Sequence, residues 1–194
     1  MERKHEKYER LIARCKGISP IPTAVAHPCD ETSLRGALEA ADMGMLQPIL
    51  VGPRDKIEAV AKQFNLDISP YELVDAEHSV AAAAAAVQLV RECKAEMLMK
   101  GSLHTDELMG AVVRSATGLR TGRRISHAFI MDVPSLDRPI IVTDAAINIF
   151  PTLEDKKHII QNAIDLALDL GLPRPKVAIL SAMETVNPDV PSTV

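Results

Sequence analysis

The sequence predicts an α/β protein in which a parallel sheet carries helices on both faces. Two observations predict it. Short, unbroken apolar runs alternate with helical segments of about three turns, and strands buried on both sides read as continuous runs rather than as alternating ones. Each helical segment also follows a capping residue or closes on a breaker, as at Asp30, Gly44 and Gly171.

Taken in order, Met1–Lys16 is a charged helix with a thin apolar stripe (Tyr8, Leu11, Ile12, Cys15) that ends at Gly17. The proline-rich Ile18–Pro22 follows as a linker, so 1–22 reads as an N-terminal helix and entry segment. Strands are expected at Thr23–Ala26, Pro48–Val51, Tyr71–Val74 and Met97–Met99, alternating with helices at Thr32–Met43, Asp55–Phe64, Ser79–Cys93 and Asp106–Ser115. Six consecutive alanines, Ala81–Ala86, read as a tightly packed helix face. After Gly118 the rhythm changes. Ser126–Val133 and Pro139–Val142 suggest an antiparallel pair, Thr143–Thr152 a loop, Glu154–Leu170 a long helix and Val177–Ser181 a further buried strand. Pro191-Ser192-Thr193 resembles a helix start with no helix behind it, which predicts a piece of a longer protein with an unfinished second domain.

Composition narrows the function. The 194 residues are 47% apolar and 25% charged, enough for a folded core. The longest apolar stretch, Val80–Val87, is far short of the roughly 20 residues needed to cross a bilayer, so no membrane partner is expected. Met1–Arg14 is too charged for a secretory leader. Three scattered cysteines, Cys15, Cys29 and Cys93, fit a reducing cytoplasm better than a disulfide framework. A net charge of −4 and 3% aromatics, with no Trp, exclude a globally basic or base-stacking nucleic-acid binder.

Five segments carry residues able to do chemistry. Gly118–Arg124 sets Arg120, Arg123 and Arg124 within five residues of an acidic chain. A guanidinium fork matches phosphate, and the flanking glycines allow close approach; a solvated turn is the alternative. Lys100, Gly101, Ser102, His104 and Thr105 follow a strand and open a helix, where ligands of parallel sheets sit, although Asp106 and Glu107 would repel an anion there. His27-Pro28-Cys29-Asp30 ends the first strand; a cysteine nucleophile or metal ligand is conceivable, but no second Cys/His pair has zinc spacing and a capped helix start is favoured. Asp144 and Asn148 can organise their loop or hold a substrate, and Ser181 ends the last strand without a nucleophile elbow. No Walker loop and no G-x-G-x-x-G after the first strand are present.

Lys100–Thr105, Gly118–His127, Thr143–Thr152, Lys176–Ser181 and Val186-Asn187-Pro188 together resemble, in order, the phosphate acetyltransferase/phosphate butyryltransferase family, and more so its butyryltransferase-like branch, in which the transferase can follow an enoyl-CoA hydratase-like domain. The resemblance implies an enzyme that interconverts a short-chain acyl-CoA plus inorganic phosphate with an acyl phosphate plus CoA. It implies no permanently bound cofactor or metal, CoA as a substrate, and a homodimer. It implies an isocitrate/isopropylmalate dehydrogenase-like two-domain fold, with 23–143 as the first domain and 144–194 the start of the second. The substrate-binding residues it suggests are Lys100, Gly101, Ser102, His104, Thr105, Arg120, Arg123, Arg124, Asp144, Asn148 and Ser181.

Two departures stand out. Met109 occupies the place of an arginine found in the acetyltransferase branch. The family's catalytic Ser-Arg…Asp cluster lies beyond Val194, so the resemblance implies an active parent and an inactive fragment. The rival reading is a non-catalytic acyl-CoA-sensing or oligomerisation module of the same fold. A dehydrogenase of that fold would want an acidic metal set and a nucleotide loop, and neither is found.

Overall fold

The structure, a computed structural model, describes residues 6–144, 146–181 and 183–193; the first five residues of the expected Met1–Lys16 helix lie outside them. The elements are α1 (Glu6–Cys15), β1 (Ile21–Ala26), α2 (Glu31–Asp42), β2 (Leu46–Gly52), α3 (Arg54–Gln63), β3 (Glu72–Asp75), α4 (Ser79–Arg91), β4 (Met97–Lys100), α5 (Thr105–Val112), β5 (Ala128–Met131), β6 (Ile140–Thr143) and α6 (Leu153–Asp169), with a 3₁₀ turn at Pro191–Thr193. The chain divides into two compact units, Cys15–Arg120 and Met1–Arg14 with Thr121–Val194. The division falls at Arg120/Thr121, whereas the family resemblance places one near Thr143; β5 and β6 pair with each other inside the second of these units.

In the Cys15–Arg120 unit four strands form a parallel sheet in the order β3-β2-β1-β4. Alternate residues along each strand face opposite ways. Ala24, Ala26, Ile49 and Val51 join the core that Ala82, Ala83, Ala86 and Val87 of α4 and Leu108 and Ala111 of α5 complete. Val25 and Leu50 join the core on the other face with Leu34 and Leu38 of α2 and Ile57 and Ala61 of α3. Within the alanine run Ala82, Ala83 and Ala86 are fully buried, and through them and Val87 α4 packs on β1 and β2.

Two prolines sit inside these strands at places that tolerate them. Pro22 stands one residue before the β1–β4 ladder starts at Thr23, and Pro48 one residue before the β2–β3 ladder starts at Ile49. A proline nitrogen has no hydrogen to give a ladder, and on those sides none is yet required. Pro22 is thus part of a strand as well as of the expected linker, and its carbonyl accepts from Glu96 N–H at 2.8 Å.

The second unit holds the antiparallel pair β5–β6, with Ala128 opposite Thr143, and α6 lies against β6. Thr152 caps α6: its hydroxyl accepts from Asp155 N–H at 3.2 Å while the Asp155 carboxylate accepts from Thr152 N–H at 3.0 Å. Lys7 of α1 binds the Asp132 carboxylate at 2.7 Å. The expected buried strand at Val177–Ser181 is not formed: Ile179 is 68% and Leu180 87% exposed, and no described strand lies alongside to supply a ladder. A five-residue apolar run becomes a strand only where an edge can pair with it. No helix among the described residues is long and apolar enough to cross a membrane.

The core assignment carries a direct expectation. Leu50 is fully buried at the centre of the sheet. Leu50→Ala should lower the stability of the full chain by about 2–5 kcal/mol, read from urea unfolding.

Candidate functional site

The order β3-β2-β1-β4 means that the chain moves one way from β1 to β3 and then returns to the other side of β1. The carboxyl ends of β1 and β4 therefore flank a topological switch point, where open α/β sheets bind ligands. Two segments meet there, His27–Asp30 after β1 and Gly101–Thr105 after β4.

Their junction is unusually close. Gly101 N–H donates to Ala26 O at 2.8 Å, and Ser102 N–H donates to His27 O at 2.9 Å. A β-carbon on Gly101 would lie 2.5 Å from both the Ala26 and the His27 carbonyl oxygens, so only glycine fits. The Ser102 hydroxyl donates to His27 O at 3.0 Å and accepts from Cys29 N–H at 3.1 Å. Ser102 thus ties the two strand ends together with both of its hydrogen-bonding functions. His27 itself adopts φ 56°, in the left-handed region. Histidine is among the few side chains enriched there, and Pro28 behind it disfavours the right-handed helical alternative.

Helix starts converge on this junction. Asp30 caps α2, its carboxylate accepting from Ser33 N–H at 2.8 Å, and the Ser33 hydroxyl and N–H hold that carboxyl below its usual range. At α5, Glu107 accepts from the Ser79 hydroxyl at 2.7 Å and from His104 N–H at 2.8 Å. These two donors, Ser79 first, lower its pKa and lock the 104–107 turn to the start of α4. Glu107, expected from the sequence as an anion repeller, is thus also a clamp on this turn, and its capping-box spacing from His104 is the sequence signal for it. Lys100, His104 and Thr105 are exposed, and the Lys100 ammonium has one hydrogen bond among the described residues, 3.3 Å to Gly101 O.

Cys29 is a free, half-buried thiol beside the α2 cap. Burial pushes its thiol up to about 11; Lys56 opposes this and Asp30 adds to it. The expected capped helix start is present, with Asp30 as the N-cap of α2, and the raised thiol stays neutral at ordinary pH. Among the described residues no three His, Cys, Asp or Glu are grouped to hold a metal ion.

The glycine–arginine segment behaves differently on the two sides of residue 120. Gly118 is buried against the carbonyls of Val112 and Arg114, and its own carbonyl accepts from Arg91 at 2.9 Å, so this glycine serves the chain's own turn. Arg120 is exposed and has no hydrogen-bond or ion-pair partner among the described residues.

Arg123 and Arg124 belong to the second unit and meet α6. Arg123 pairs with Asp165, and Arg124 Nε lies 2.9 Å from Asn148 Oδ1 and 3.3 Å from Asp155. Both guanidinium side chains are about half exposed, at 51% and 56%, so these pairs are solvent-screened and contribute little to stability. Asp144 organises the neighbouring loop, accepting from the N–H groups of His127 and Ala146 (3.2 and 3.1 Å), of Ile147 and Asn148 (3.1 and 3.0 Å), and from the Asn148 side-chain amide. Asn148 also donates to Ile125 O at 2.9 Å. Asp144 thereby holds Asn148, and Asn148 holds Arg124. Ser181 is exposed, with its hydroxyl 2.8 Å from that of Ser192.

Two measurements follow from this geometry. Partial burial pushes the Asp144 carboxyl up, but the Ile147 N–H, the Asn148 amide and the Ala146 and His127 N–H groups outweigh it and hold it at about 2, against an ordinary 3.8. A carboxyl whose pKa is lowered on folding stabilises the fold above its unfolded pKa, and that contribution is lost as pH falls from 3.8 through about 2. Asp144→Asn should therefore reduce stability at neutral pH and flatten the acid limb of melting temperature against pH. In the native protein, iodoacetamide at mildly alkaline pH should alkylate exposed Cys93 well before Cys29, as peptide mass spectrometry would record.

Comparison with known proteins places the chain. A model of the family described as phosphate acetyl/butaryl transferase matches residues 78–194. A phosphate acetyltransferase of Rhizobium meliloti is 61% identical over 97% of this chain and 60% of its own length. A phosphate butyryltransferase of Clostridium beijerinckii is 38% identical over 97% of this chain and 63% of its own length. Among solved structures, a branched-chain phosphotransacylase from Enterococcus faecalis V583 superposes with a TM-score of 0.70 at 31% identity, covering 89% of this chain and 60% of that one. The chain thus spans about three fifths of the length of the curated relatives it matches. Matched by the family model over more than half its length, it belongs to the phosphate acetyl/butaryl transferase family.

Proposed function

We propose that the whole protein interconverts a short-chain acyl-CoA and inorganic phosphate with an acyl phosphate and CoA. The observation that carries this reading is the Gly101–Thr105 turn at the switch point of the parallel sheet, in a chain of this family. In the acyl-phosphate-forming direction a phosphate oxygen attacks the thioester carbon, the C–O bond forms, the C–S bond breaks, and sulfur leaves as a thiolate that takes up a proton. Negative charge builds on the carbonyl oxygen during the attack and needs donors aimed at it. Phosphate and CoA are themselves polyanions, so an acidic chain must gather positive charge locally.

Lys100, His104 and Thr105 are the groups at the switch point free to meet such charges. Arg120, without a protein partner among the described residues, is a further anion site. Arg123 and Arg124 would exchange their α6 carboxylates for CoA phosphates, with Asp144 and Asn148 acting through Arg124 rather than on substrate. Gly101 and Ser102 shape the turn, and Ser181 stands as a hydroxyl donor for the acyl-CoA. The finer features that accompany this reading are an isocitrate/isopropylmalate dehydrogenase-like two-domain subunit, a homodimer, and no resident cofactor.

The test is phosphate-dependent thiol release from acetyl-CoA and butyryl-CoA by the whole protein. Turnover that requires phosphate supports the reading; none with any short acyl-CoA refutes it. Arg120→Ala and Arg123→Ala should each raise the KM for CoA or phosphate by about tenfold, the scale of one charge-assisted hydrogen bond. Unchanged kinetics would remove those side chains from the site.

A further inference from the structure

At the switch point the His27 imidazole is held by hydrogen bonds yet keeps one ring nitrogen without a partner among the described residues. Its backbone is fixed in the left-handed region by its carbonyl, which accepts from Cys29 N–H at 2.9 Å, Ser102 N–H at 2.9 Å and the Ser102 hydroxyl at 3.0 Å. Its ring is fixed as well, with Nδ1 lying 3.1 Å from Ser102 O. A carbonyl oxygen can only accept, so Nδ1 carries the hydrogen of that bond; the Ser102 hydroxyl, 3.3 Å from Nδ1, already spends its own hydrogen on His27 O. Nε2 makes no hydrogen bond to any described residue. Asp30, the cap of α2, and Glu107, in the first turn of α5, stand at the same junction. Backbone held in the left-handed region clusters at ligand-binding places, and His27 joins to it a ring nitrogen with no partner among the described residues.

We propose that His27 Nε2 is a direct contact for a phosphate group bound at the carboxyl ends of β1 and β4, sharing one proton with a phosphate oxygen. This rests on the acyl-transfer reading for the identity of the ligand. The contact adapts to either protonation state. With a neutral ring, Nε2 accepts from a P–OH; as the imidazolium, it donates to a P–O⁻. The capping carboxylates Asp30 and Glu107 repel an anion on their own helix starts, and the imidazole supplies what those starts withhold.

Two isosteres separate the roles of the two nitrogens. His27→Asn keeps an N–H near the position of Nδ1 and tolerates the left-handed backbone, but has nothing at Nε2. His27→Gln reaches the position of Nε2 and lacks Nδ1. The probe is inorganic phosphate, titrated into the full chain labelled with 15N-histidine, with the His27 ring signals assigned by their loss in the Asn variant. The expected result is a saturable shift of the His27 ring signals. His27→Asn should weaken phosphate binding, followed by protection against thermal unfolding, about tenfold while keeping the melting temperature of the free chain; His27→Gln should retain more of the binding. Ring signals that do not move at saturating phosphate, or an Asn variant that binds as the native chain does, overturn the assignment. Phosphate shifts in a protein without acyl transfer would sink the functional reading alone, whereas turnover with silent His27 signals would sink this contact alone.

Discussion

The approach of Gly101 to the carbonyls of Ala26 and His27 is the constraint on which the candidate site depends. Parallel strands are held about 4.8 Å apart by their ladders, but the loops beyond them are free to splay unless something stitches them. Here the stitch is made by two backbone N–H groups and one serine hydroxyl, and it is possible because residue 101 has no side chain. The left-handed backbone of His27, the orientation of its ring and the neighbouring turn at His104 all follow from that contact or from the Glu107 clamp beside it.

The second unit solves a similar problem with a carboxylate. A loop between a strand and a helix exposes N–H groups that need acceptors. Asp144 gathers four of them and fixes Asn148, which reaches Arg124 in turn. The same carboxylate that organises the loop therefore decides where a guanidinium points. Asn162 extends the arrangement by donating to Arg124 O and to the Ser126 hydroxyl, both at 2.9 Å, so the segment after residue 120 is laid along α6 by side chains rather than by a ladder.

Much of this was legible in the sequence, because local rules and tertiary structure agree there. Unbroken apolar runs gave β1 to β4, Asp30 and Thr152 announced their helices, and the alanine run described the α4 face correctly. The loop 100–105 follows a strand and opens a helix, as its apolar run and the polar residues after it indicate. What escaped was whatever depends on a partner distant in the chain. Ser102 looks like a substrate hydroxyl until Cys29 and His27, more than 70 residues away, claim both of its bonds. Gly118 looks like room for an anion, and is instead filled by the chain's own carbonyls. His27 stands in a segment whose pattern points to Cys29 chemistry or a helix cap, and its own conformation is set by contacts that no local pattern encodes. Val177–Ser181 failed for the opposite reason: the local signal was sound, but a strand also requires an edge.

The most direct measurement is made on Gly101→Ala. The added methyl must push the ends of β1 and β4 apart or force the turn to shift. The account predicts a stability loss of about 1–3 kcal/mol, the usual range for an overpacked site, together with loss of the phosphate response at His27. A Gly101→Ala chain as stable as the native one, with that response intact, would contradict it.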